Sequence, residues 1–252
     1  MASEERFGYE WKKYARLTPA YEGQFRNWSD MGPEDFAGKD VLDAGCGMGR
    51  NSYWPLRWGA KHLVAFDNDE QSLVSARHTL AEFPQATVER CDISHTPWHE
   101  EFDIVMCIGV LHHLRNPRLA LENFTRALRH GGTLVVWVYS YEGNELKVPL
   151  LNTLRLITSR LPLFLVHTIT YALSLPWYTF IKLGILRDAY SRQLAGFEYW
   201  HVHSIAFDQL IPAVAHYWRK EEVFALSQGL GLTVTITAPK NGMGWILTGL
   251  KK

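Results

Sequence analysis

The chain has 252 residues, 47% of them hydrophobic, enough for one large domain or two small ones around a substantial core. Its 26 basic residues balance 26 acidic ones, which argues against a broad nucleic-acid surface, since such surfaces carry a basic excess. The three cysteines, Cys46, Cys91 and Cys107, form no C-x-x-C pair and read as buried free thiols of a reducing compartment.

Residues 1–6 are charged and lack the apolar stretch of a secretory leader, so a cytoplasmic protein is expected. Residues 7–38 are rich in aromatics. Trp11, Tyr14 and Leu17 share the spacing of one helical face, either packed on a sheet edge or closing over a pocket. Gly32-Pro33 and Gly38 punctuate the route into the first strand.

Residues 41–50 read Val-Leu-Asp-Ala-Gly-Cys-Gly-Met-Gly-Arg, an apolar strand running into a turn with glycine at every second position. A helix follows from Asn51 to Trp58, with Pro55 tolerated in its first turn, and Gly59 ends it. This order brings free N–H groups at a helix N-terminus beside a ligand. A dinucleotide fingerprint would read G-x-G-x-x-G. Asp43 inside the motif repels a pyrophosphate and suits an ammonium group. The second strand, 61–66, ends at Asp67, roughly 20 residues past the turn, where a carboxylate accepts from ribose hydroxyls. Asp69 caps a helix over 70–82. Strands follow at 86–91 and 101–108, the latter nearly all apolar, as expected of a strand buried on both faces. Asn116-Pro117 opens a helix that Gly131-Gly132 stops, and 133–139 is the fifth strand.

The alternation breaks at 144–206, which is long, apolar and interrupted by prolines. Residues 161–181 carry no formal charge apart from a neutral histidine, long enough for a membrane span. A span is rejected, because the sheet needs strands from both sides of it. Pro162 and Pro176 suggest two or three short helices instead: a helical subdomain, a cap over an apolar acceptor, or a foot on a membrane surface. A helix over 220–228 and strands at 232–238 and 245–250, around the turn signal Asn241-Gly242, complete the chain.

The chain resembles the class I S-adenosylmethionine-dependent methyltransferases of bacterial small-molecule type. The resemblance rests on residues 41–50, Phe66-Asp67-Asn68, Arg90-Cys91-Asp92-Ile93, Phe102-Asp103-Ile104-Val105, Gly109-Val110-Leu111-His112-His113-Leu114 and the segment 128–134, in family order over about residues 38–140. It implies an α/β fold, a doubly wound, mostly parallel seven-stranded sheet of order 3-2-1-4-5-7-6, with the helical insertion between strands five and six. The expected division is one domain over 1–252: a lid (1–38), a cofactor-binding core (39–143), a helical cap (144–206) and the last part of the sheet (207–252).

The implied cofactor is S-adenosylmethionine, held by Asp43, Gly45, Cys46, Gly47, Gly49, Asp67, Asn68, Asp92, Ile93, Ile108 and Gly109. His113 is the candidate general base, ahead of His112, because a histidine can deprotonate an acceptor near neutral pH. Trp11, Tyr14, Tyr21, His216 and Tyr217 are candidate acceptor contacts. His201 and His203 form an H-x-H pair with no third ligand at a recognisable spacing, so no metal is expected. The expected acceptor is an oxygen, nitrogen or carbon of a small, partly apolar metabolite, with no nucleic-acid partner and possible peripheral membrane contact. A lipid-directed enzyme and a cofactor-binding protein without transfer activity are the alternatives.

Overall fold

The computed structural model describes residues 3–14 and 16–252. Met1 and Ala2, on which part of the leader expectation rests, lie outside the described residues. Three helices precede the sheet: α1 (Ser3–Lys13), α2 (Ala20–Ser29) and α3 (Pro33–Phe36). Alternation then runs β1 (Asp40–Ala44), α4 (Arg50–Arg57), β2 (His62–Asp67), α5 (Glu70–Thr79), β3 (Ala86–Arg90), β4 (Phe102–Ile108), α6 (Pro117–Ala127) and β5 (Leu128–Val138). Four helices follow, α7 (Lys147–Thr158), α8 (Leu163–Lys182), α9 (Ala189–Leu194) and α10 (Tyr199–Asp208). The chain closes with α11 (Lys220–Ser227), β6 (Leu232–Thr237) and β7 (Trp245–Lys251).

The seven strands lie in the order β3-β2-β1-β4-β5-β7-β6, as expected. β1 to β5 pair in parallel, and β7 runs antiparallel between β5 and β6. Strand side chains alternate between two cores. Val41, Leu63, Ala65, Ile104, Met106, Val135 and Trp137 meet α2, α4 and α5 on one face. Leu42, Val64, Phe66, Val105, Leu134 and Val136 meet α6 on the other. Full burial of each such side chain is worth ~1.5–3 kcal/mol, and covering both faces is what permits parallel pairing. All three cysteines are free; Cys46 and Cys107 are buried, whereas Cys91 is only half-buried because it lies past the end of β3.

Local readings fail where a proline or glycine is taken as a stop. α8 is one helix of 20 residues with Pro176 inside it, not two or three short ones. A proline removes one hydrogen bond from a helix, and α8 is held along its length by α10, with Ser174 Oγ 2.9 Å from His203 Nδ1. Pro55 falls beyond the first turn of α4, and the helix ends two residues later. Gly131-Gly132 does not stop α6. That helix ends at Ala127, and the glycines sit within β5, where the register against β4 shifts. α1 ends at Lys13, so Leu17 is not on its face.

The buried stripe of α8 is Val166, His167, Thr170, Ser174 and Ile181, while Phe164, Leu173, Leu175 and Phe180 are exposed. No described helix is long and apolar enough to cross a membrane.

Candidate functional site

The parallel strands β1 to β4 end side by side, and the turns that follow them wall one cavity of about 1050 Å³. The glycine turn after β1 is tied to β2: the N–H groups of Gly45 and Cys46 both donate to the Phe66 carbonyl at 2.9 Å. Gly45 and Gly47 have φ of 75° and 55°, the left-handed region that L side chains resist. A Cβ on Gly47 would come within 3.0 Å of Trp11 Nε1, and one on Gly45 within 2.7 Å of Val110. The turn is therefore glycine because α1 and the loop after β4 close directly onto it.

Asp67 lies at the end of β2, where its Oδ2 accepts from Gly47 N–H and its Oδ1 from Asp69 N–H, each at 3.0 Å. Burial pushes its pKa up, against the pull of those backbone donors. A carboxylate retains further acceptor sites after two such bonds. Asp92 Oδ1 accepts from Ser94 N–H at 2.8 Å and caps the short turn Ile93–His95. Gly45, Cys46, Gly47, Asp67, Asn68, Asp92, Ile93, Ile108 and Gly109 all line the cavity. Asp43 and Gly49 do not. Asp43 sits behind the turn, 1% exposed, accepting from Ser52 Oγ at 2.5 Å, and burial lifts its pKa to about 7.

His113 lines the cavity with its Nδ1 2.9 Å from the Val214 carbonyl oxygen. A carbonyl only accepts, so Nδ1 carries the proton and Nε2 keeps its lone pair. Burial lowers the His113 pKa. His112 is fully buried and absent from the cavity wall; burial, then the neighbouring His113, hold its pKa well below the usual value.

The acceptor candidates separate. Trp11 and Tyr217 line the main cavity. Tyr14 and Tyr21 instead line a smaller one of about 180 Å³, with Tyr21 OH 2.7 Å from His201 Nδ1. His216 lines neither; its ring stacks on Trp218 and its backbone N–H donates to the His112 carbonyl at 2.8 Å. His201 and His203 diverge, the first toward Tyr21 and Gln24, the second toward Ser174.

Much of the wall has no counterpart among the expected residues. Arg6 and Glu10 come from α1, Trp28 from α2, Arg50 from α4, Trp137 and Tyr139 from the end of β5, and Asp208 and Gln209 from the end of α10. The Arg50 guanidinium lies over the rings of Trp11, Tyr21 and Trp28, at 4.9, 5.3 and 5.7 Å. Trp28 and Trp137 stack at 4.5 Å. Tyr139 OH donates to Asp208 Oδ2 at 3.1 Å and accepts from Gln209 Nε2 at 2.9 Å. An Arg6/Glu10 pair spaced one helical turn apart, beside Trp11, was a signal in the sequence for a functional face of α1.

A family model described as a methyltransferase domain matches residues 42–136, which hold the glycine turn, Asp67, Asp92 and His113. Over residues 42–136 the chain carries a methyltransferase domain. In structure it is similar to magnesium protoporphyrin IX methyltransferase of Synechocystis PCC 6803 with bound SAH, at 14% identity and a TM-score of 0.56, covering 92% of this chain and 84% of that one. In sequence it is similar to the tRNA U34 carboxymethyltransferase of Idiomarina loihiensis, 33% identical over 128 residues, covering 48% of this chain and 40% of that protein. The same enzyme of Methylococcus capsulatus is 34% identical over 115 residues, covering 44% and 36%. The methyltransferase chain thus matches less than half the length of these curated relatives.

Those relatives correct two expectations. The small, partly apolar metabolite is overturned as acceptor, and so is the absence of a nucleic-acid partner, since the relatives are named for tRNA. The error was physical. A net charge of zero sums the whole surface, whereas phosphate contact is local, and Arg50, Arg115 and Lys147 all line one cavity.

Proposed function

We propose that this chain transfers a methyl group from S-adenosylmethionine to a tRNA base swung out of its stack and into the cavity. The observation that carries the reading is the extent of the enclosure: about 1050 Å³, continuing from the glycine turn past His113 to Tyr139, Asp208 and Tyr217. Ligand pockets typically span ~300–1,000 Å³, so this one has room for a donor and an acceptor base together. Extruded bases are held between aromatic faces, with phosphates met by cations. Trp28, Trp137 and Tyr139 supply such faces, and Arg50, Arg115 and Lys147 such cations. The tRNA-directed names of the sequence relatives favour the same substrate class.

The glycine cradle and the acids at the strand ends suit S-adenosylmethionine, which supplies an already activated methyl group as a sulfonium. Gly45 and Gly47 would let the backbone approach it, and Asp67 would accept from the ribose hydroxyls. Asn68, Asp92 and the Ile93 backbone would flank the adenine, and Ile108 and Gly109 would close the floor. Asp43 and Gly49 would act from behind, by holding the turn. His113, neutral at pH 7 and with Nε2 free to accept, would take the proton from an O–H or N–H of the base. Alignment of the two reactants supplies most of the rate in such a transfer. In this reading α1 is the lid, and α7 to α10 are the cap, contributing Trp177, Leu186, Tyr190 and His201 to the wall.

Incubation of the purified chain with methyl-labelled S-adenosylmethionine and unfractionated tRNA should place label in the RNA. Donor binding by calorimetry without any label in tRNA would overturn the proposal.

A further inference from the structure

α8 is largely apolar on every side, yet only one side of it is packed. Val166, Thr170, Ser174 and Ile181 are buried against the rest of the molecule. Phe164, Leu165, Leu173, Leu175 and Phe180 lie on the outer side, with Phe164 68% and Leu175 56% exposed. A helix that is apolar all round is normally covered all round. From Phe164 to Phe180 the helix rises about 24 Å, and over that length its outer side carries no charged residue. An uncovered apolar surface of this extent marks a place where something docks.

Two features say what covers it. The first is hydrogen bonding. Thr168 and Thr179 on the outer side donate their hydroxyls back into the helix, to the carbonyls of Phe164 at 3.0 Å and Leu175 at 2.8 Å. A protein partner is met with roughly one hydrogen bond per 100–200 Å², whereas hydrocarbon asks for none. Tyr171 and Trp200, both exposed and with rings 6.3 Å apart, join an apolar body to a polar tip. Such rings gather at the headgroup level of a bilayer.

The second feature is charge. The chain contains no acidic residue from 146 to 187. Arg160 precedes α8, Lys182 ends it and Arg187 follows it, all three exposed. None of them forms an ion pair among the described residues. Asp188, the first acid beyond the stretch, is engaged in capping α9. Long cationic side chains framing an apolar surface complement the phosphates of anionic lipid.

We propose that the outer side of α8 rests in the interface of an anionic lipid bilayer, with Arg160, Lys182 and Arg187 at its phosphates. The helix lies on the bilayer and does not cross it. Its inner side keeps its place against α10, and the contact is independent of which acceptor enters the cavity.

The test is flotation of the full chain with vesicles of phosphatidylcholine, alone or mixed with phosphatidylglycerol. The chain should float with the mixed vesicles, bind the neutral ones about tenfold or more weakly, and be released by high salt. Phe164→Ser with Phe180→Ser should weaken binding about tenfold or more while melting near the parent temperature, since both side chains are exposed. Arg160→Glu should also weaken it on mixed vesicles and change little on neutral ones. The inference is overturned if the chain stays unbound with both vesicles, binds both equally, or floats unchanged in the serine variant. It is equally overturned if the chain ignores vesicles and sediments as a dimer that the serine changes dissociate, which would make a second copy the occupant. Should the serine variant fail to fold, Leu175→Ser alone, with a loss of about threefold expected, and the lipid-charge dependence of the unaltered chain still decide.

Discussion

Asp43→Asn makes protein stability report on the glycine turn. The Asp43 carboxyl is buried behind the turn and receives the Ser52 hydroxyl. Burial lifts its pKa from 3.8 to about 7, against the Ser52 hydrogen bond and with help from the charge of Asp67. In the unfolded chain an aspartate ionises near ~3.9. The folded state thus holds the proton more tightly. Stability is unaffected below about pH 4, falls as pH rises from about 4 to about 7, and is level above that. A difference of about three pH units at ~1.4 kcal/mol each amounts to ~4 kcal/mol. Asparagine has no proton to lose, and its carbonyl oxygen can accept from Ser52. Urea denaturation near pH 4 should find parent and variant alike within ~1 kcal/mol, and near pH 8 the variant should be more stable by ~2–4 kcal/mol. Equal stabilities near pH 8, or a less stable variant, would refute the claim that Asp43 carries a burial penalty.

Two further outcomes are expected. Asp67→Ala should weaken S-adenosylhomocysteine about tenfold or more in calorimetry while melting near the parent temperature, since ribose hydroxyls would lose a buried acceptor; unchanged affinity would mean the donor does not reach the end of β2. His113→Asn should lower kcat by ~10²–10⁴-fold at unchanged donor affinity. Burial lowers the His113 pKa from 6.5, so the parent rate should be flat from pH 7 upward and fall only on acidification below that. A parent-like rate in the variant would remove the general base from the mechanism.

The sheet was legible because its central strands, buried on both faces, are nearly all apolar, and because an acid closes β2 and another follows two residues after β3. Asp67 and Asp92 stand out for that reason. The part of the cavity wall beyond the glycine turn was not legible. It is assembled from α1, α2, the end of β5 and α10, elements far apart in sequence, and no spacing rule joins Glu10 to Ser204 or Tyr139 to Asp208. Proline and glycine misled where packing overrode local preference, at Pro176 in α8 and at Gly131-Gly132 in β5. The charge balance misled because a sum carries no position.

The place of β7 bears on how the chain folds. β7 lies between β5 and β6, with Thr133 opposite Leu250 and Val138 opposite Trp245, partners roughly a hundred residues apart. The equilibrium penalty for such a loop grows only as the logarithm of its length, so doubling the intervening chain would add just ~0.6 kcal/mol. The rate is another matter, since distant pairings form slowly. β1 to β5 contain their own parallel pairings and both flanking helical layers. They form the part able to assemble early, while the β5 edge stays unpaired until the C-terminal hairpin arrives. During that interval an apolar strand edge is open to other chains. Low protein concentration during refolding should therefore matter more for this molecule than its final stability suggests.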